Sequence, residues 1–104
     1  MGLFSMFRAN TITPEIINLI NSGRKETILR NVYFEAALEF ALEHGAKLEH
    51  GTSKIYTNSI GFIMNIDGKN YHIYFAKERD GSTYLGIDDA DEAQRQFQER
   101  LYGK

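Results

Sequence analysis

The chain contains no cysteine. That excludes a disulfide framework and every reaction that runs through a thiolate. Proline occurs once in 104 residues. Set against six tyrosines and seven phenylalanines, this scarcity points to a packed fold rather than a disordered chain. An excess of charge is missing too: a formal −2 gives no global field to draw the protein onto nucleic acid or anionic lipid. The apolar runs are too short to cross a bilayer. The opening Met-Gly-Leu-Phe-Ser-Met-Phe-Arg has neither the basic start nor the long apolar core of a signal peptide. Met6 stands where a myristoylation pattern needs serine or threonine. Neither Gly-x-Gly-x-x-Gly nor Gly-Lys-Ser/Thr appears, so a glycine-rich phosphate loop is not expected. These absences lead to the expectation of a cytoplasmic protein with no cofactor, no metal and no membrane contact.

Hydrophobic content of 42% and charged content of 25% are those of an ordinary globular domain. The length suits one core, read as a single domain over 1–104. Thr13-Pro14-Glu15 predicts the start of a first helix: threonine can cap, proline suits the first position and an early acid suits the dipole. Ile16, Ile17 and Ile20 would form its apolar side, and Gly23 its stop. A second helix is predicted over about 26–44. Glu35, Glu39 and Glu43 lie four apart and form an exposed stripe, while Leu29, Tyr33, Ala36, Ala37, Leu38, Phe40, Ala41 and Leu42 fill most of the remaining circumference. The segment 46–50 could add a short strand.

The period then changes to two. Strands are predicted over 54–57, 60–66, 71–77 and 83–87, with turns at Asn58-Ser59, Asp67-Gly68 and Asp80-Gly81. A closing helix is predicted over about 89–102, acidic at its start and basic later. The order α-α-β-β-β-β-α defines an α+β fold: a four-stranded antiparallel meander with the helices on one face.

Turn lengths fix which side chains share a face. A two-residue turn at Asp67-Gly68 sets Met64, Phe62 and Ile60 opposite Tyr71, Ile73 and Phe75; a slip by one residue would scatter this apolar set. A two-residue turn at Asn58-Ser59 would bring Ile55 opposite Phe62. After Lys77 a two-residue turn fails, whereas a three-residue loop Arg79-Asp80-Gly81, with Gly81 in the left-handed region, sets Phe75 against Leu85 and Ile73 against Ile87. The front face is then apolar. The back carries one row, Tyr56-Gly61-Tyr74-Gly86, flanked by His72 opposite Asp88 and by Ala76 opposite Tyr84. Tyrosine rings over neighbouring glycines would shield the backbone. The same row could serve as a shallow binding platform, since tyrosine offers rigid contact area and a polar tip.

Other candidates read as structural. His72 beside Asp88 could orient an imidazole as a base, but no serine or cysteine nucleophile is placed next to it. Glu43-His44 and Glu49-His50 lack zinc-site spacing, and His44 suits a helix C-terminus. Asp88, Asp89, Asp91 and Glu92 fit the start of a helix and lack the glycine and spacing of a calcium loop. They also stand where a helix gripping phosphates would need bases. The functional expectation is a non-enzymatic protein that binds a protein partner, as an inhibitor or immunity-type factor does. The contact residues would be Tyr56, His72, Tyr74 and Tyr84, or the stripe Glu35, Glu39 and Glu43. The alternative is a small ligand or single-stranded nucleotide stacked on the tyrosines. A homodimer stays open.

Overall fold

Alternating side chains and two glycine-bearing turns set the centre of the sheet. A computed structural model describes the backbone of residues 2–92 and 100, and side chains from Thr11 to Glu92 and at Arg100. Its elements are α1 (Gly2–Ser22), β1 (Glu26–Tyr33), α2 (Phe34–Glu43), a 3₁₀ turn (Lys54–Tyr56), β2 (Ser59–Ile66), β3 (Lys69–Lys77) and β4 (Ser82–Asp89). The sheet is antiparallel in the order β1-β4-β3-β2. The β2–β3–β4 meander has the computed register: Ile60 faces Phe75 and Phe62 faces Ile73, and Phe75 faces Leu85 and Ile73 faces Ile87. Asp67 and Gly68 both have positive φ, 54° and 82°, as a two-residue hairpin turn of the mirror-image type requires. Gly81 has φ 89°. The three-residue loop before β4 is closed by Glu78 N–H on the Ser82 carbonyl and Gly81 N–H on the Glu78 carbonyl, both at 2.9 Å.

The fourth strand is not the expected one. Residues 54–57 do not form a strand, because Asn58 and Ser59 are used in the ladder rather than in a turn. The Asn58 carbonyl accepts Lys77 N–H at 2.9 Å, and Ser59 pairs with Ala76. The preceding chain coils locally: Tyr56 N–H and Thr57 Oγ1 both donate to the Ser53 carbonyl. Ile55, expected on the front face, is therefore 83% exposed, and Tyr56 does not pair with Gly61.

The missing strand comes from 26–33, read from its spacing as helix. Thr27, Ile28 and Val32 are β-branched and favour extended backbone, and β4 offers them an open edge. Glu26 pairs with Gly86 and Ile28 with Tyr84; the register then shifts between Leu29 and Tyr33. This bulge frees the Val32 carbonyl, which accepts a bond from the buried Thr83 Oγ1 at 2.9 Å. Helix α2 starts directly afterwards. No side chain caps it; instead Phe34 N–H donates to the Gly81 carbonyl at 2.9 Å, tying the β3–β4 loop to the helix.

Helix α1 begins earlier than expected and holds Pro14 inside it. Pro14 is exposed and has no N–H for the carbonyl one turn back. Its buried side is Ile12, Ile16 and Leu19, whereas Ile17 is exposed. Gly23, at φ 77°, follows the end as expected. Residues 46–50 form no strand. Of the closing helix, 90–92 are helical; most of the rest, including Phe97 and Leu101, lies outside the described residues. Its start is held by Asp89, which accepts Glu92 N–H at 3.0 Å and Lys69 Nζ at 2.9 Å. These bonds, the backbone one first, hold the Asp89 carboxyl below the usual carboxylate range.

One core forms where α1 and α2 meet the front face. Ile12, Ile16, Leu38 and Phe40 pack with Leu29, Phe62, Ile73, Phe75 and Leu85. Phe40, Phe62 and Phe75 meet pairwise at ring-centroid distances of 5.8–6.3 Å. Both helices lie on this side, so the back of the sheet is left open among the described residues. No helix among the described residues is long and apolar enough to cross a membrane.

Candidate functional site

Alternation along β2, β3 and β4 sends Ile63, His72, Tyr74, Tyr84 and Asp88 to the open face, and β1 adds Glu26 and Ile28. One row across the sheet is Glu26-Gly86-Tyr74-Gly61; the next is Ile28-Tyr84-Ala76-Ser59. The glycines are shielded, but not by the expected rings. A Cβ at Gly61 would stand 3.1 Å from His72 Nε2, and one at Gly86 would stand 3.3 Å from Tyr84 Cε2 and Oη. His72 thus leans across to one glycine, and Tyr84 folds back along its own strand over the other. That leaves Tyr74 the projecting side chain, 39% exposed. Its ring meets Tyr84 edge to face, with centroids 6.2 Å apart and planes at 72°, a favoured aromatic geometry.

Tyr84 Oη donates to Glu26 Oε1 at 2.6 Å. This bond, helped by partial burial and the nearby negative charge, raises the phenol above its ordinary range. Lys25 Nζ lies 3.7 Å from Asp88, with both side chains exposed, so the pair adds little to stability. His72 and Asp88 are cross-strand neighbours as computed, but no hydrogen bond joins them among the described residues.

Tyr74 forms a ridge between two shallow hollows. Glu26, His72, Tyr84 and Asp88 line one, over Gly86. Tyr56, Gly61, Leu48 and Thr57 line the other. The four expected aromatic and histidine residues therefore gather on one side, although Tyr56 arrives from the 3₁₀ turn and is 77% exposed. Glu35, Glu39 and Glu43 do not join them. They are exposed on α2, which covers the opposite face of the sheet. Lys77 reaches Glu35 at 3.5 Å, and Lys54 binds Glu39, so two of the three acids face cations.

Glu26 and Lys25 were not among the expected contacts, because helical spacing sets them at the start of a helix. The cluster of β-branched residues directly after them was the available signal. His44 caps α2 as expected: its Nδ1 binds the Phe40 carbonyl at 2.8 Å and its ring stacks on Phe40 at 4.1 Å. Among the described residues no group of three or more acids and histidines is placed to hold a metal ion. Comparison with known protein families, characterised proteins and solved structures gives no match.

Proposed function

We propose that this chain is a small non-enzymatic cytoplasmic protein that acts by binding a protein partner, as an inhibitor or immunity-type factor does. The contact is the open face of the sheet. One observation carries this reading: no described element covers that face, yet it presents Tyr74, Tyr56 and Ile63, at 39%, 77% and 58% exposure, beside Glu26, His72 and Asp88. Rigid aromatics with polar tips, set on paired strands, are the composition of an interface centre. A small ligand or single-stranded nucleotide is the runner-up. Glu26 beside the hollow would repel a nucleotide's phosphates, while Lys25 and Asp88, 3.7 Å apart on its rim, largely offset each other.

The test compares the wild-type chain with Tyr74→Ala in affinity capture, followed by titration calorimetry on the purified partner. Tyr74 is half in solvent, so its truncation should leave the thermal midpoint nearly unchanged. It should weaken the complex about 30-fold, as expected of a hot-spot side chain worth ~2 kcal/mol. A partner bound equally well by Tyr74→Ala would overturn the assignment to this face. A mobility shift of a single-stranded oligonucleotide, abolished by the same substitution, would replace it with the runner-up.

A further inference from the structure

The two edges of the sheet differ, and β2 is the unguarded one. Its hydrogen-bond phase follows from one contact. Lys77 N–H donates to the Asn58 carbonyl in the same ladder that sets Ile60 against Phe75 and Phe62 against Ile73. Antiparallel pairs alternate between hydrogen-bonded and non-hydrogen-bonded. Ile60, Phe62, Met64 and Ile66 therefore direct their backbone groups to β3. Ser59, Gly61, Ile63 and Asn65 direct theirs outward, and no strand lies beyond them among the described residues. Sheet edges are ordinarily blunted by charge, proline or a bulge. Ser59–Ile66 reads Ser-Ile-Gly-Phe-Ile-Met-Asn-Ile, with no charge and no proline, and its register runs unbroken. The other edge, β1, carries Glu26 and Arg30 and is broken by the shift between Leu29 and Tyr33.

We infer that two copies of this chain associate by antiparallel pairing of β2 with β2, joining their sheets into one of twice the width. A row of outward N–H and C=O groups at strand spacing is complemented by another strand. The occupant is a second copy because this strand complements itself. With Ser59 opposite Asn65 and Gly61 opposite Ile63 of the other copy, each outward residue meets an outward residue, giving about eight hydrogen bonds. Phe62 then faces its own counterpart, and Ile60 faces Met64. All these pairs are uncharged, so the two-fold axis sets no like charges together. The interface shares Ile63 with the proposed contact face but uses neither Tyr74 nor Glu26, so Tyr74→Ala, which tests that face, should leave the dimer intact.

The test is the mass in solution by light scattering, with Ile63→Pro as the variant. Proline at 63 removes one outward N–H and no bond to β3, a position edge strands tolerate. The wild-type chain is expected at twice 11.9 kDa, and Ile63→Pro at 11.9 kDa with its far-ultraviolet dichroism kept. Ile28→Pro, which removes an equivalent outward N–H from β1, should stay dimeric. Because a proline can also damage folding, amide exchange on the wild type gives a second readout. The Gly61, Ile63 and Asn65 amides should become at least ten-fold more protected as concentration rises from the monomeric to the dimeric range. A wild-type chain that stays monomeric overturns the inference, even if β2 takes up an extended segment of another protein. So does a dimer that persists in Ile63→Pro, or a concentration-independent exchange of those three amides.

Discussion

Thr83 completes the β1–β4 junction. It is fully buried, and its hydroxyl serves the Val32 carbonyl that the bulge takes out of the ladder. Thr83→Val keeps the shape but removes the donor, leaving a carbonyl without its partner. A loss of about 1–3 kcal/mol is expected, measurable by urea denaturation. Tyr84 makes a second link between the same two strands, and this one depends on pH. Its bond to Glu26 favours the neutral phenol and raises its pKa. The resulting stabilisation is complete below the ordinary tyrosine value near 10 and is lost as pH rises through the higher folded value. Glu26→Gln should return the Tyr84 titration, followed by ring resonances, toward the ordinary value, and should flatten the alkaline fall in stability. Neither link was legible in the sequence. Thr83 and Val32 are 51 positions apart, and Tyr84 and Glu26 are 58 apart; no local pattern relates them.

The elements divide by how local their causes are. The β2–β3–β4 register could be computed because Asp67-Gly68 and the loop ending at Gly81 each determine a hairpin within a few residues. The strand assigned to 54–57 failed because Asn58 and Ser59 joined the ladder, and the segment 26–33 was misread because Leu29, Tyr33 and Ala37 fall at helical intervals. One pair of substitutions separates the two arrangements. Phe62 is buried against Phe40 and Phe75, so Phe62→Ala should cost about 3–5 kcal/mol. If 54–57 were a strand, Ile55→Ala would also be costly. With Ile55 83% exposed on the 3₁₀ turn, the change should stay within roughly 0.5 kcal/mol. Denaturant midpoints of the two variants decide the matter.

Across the whole molecule, the sequence separated a covered face from an open one, and this was sufficient to locate Tyr74, Tyr84 and His72 correctly on the open side. With the helices on the covered face, it also set the acidic stripe of α2 apart from the tyrosines, but it did not reveal that α2 crosses the front face to connect the opposite edges β1 and β2. The crossing also orders events in time. As the chain leaves the ribosome, 26–33 emerges long before 82–89, the only strand it pairs with among the described residues. Joining them closes a loop of about half the chain, whereas each hairpin of the meander closes a short one. Throughout that interval the nascent segment has no described strand to bind, and its own sequence pulls two ways, the helical spacing of its apolar residues against the extended preference of Thr27, Ile28 and Val32.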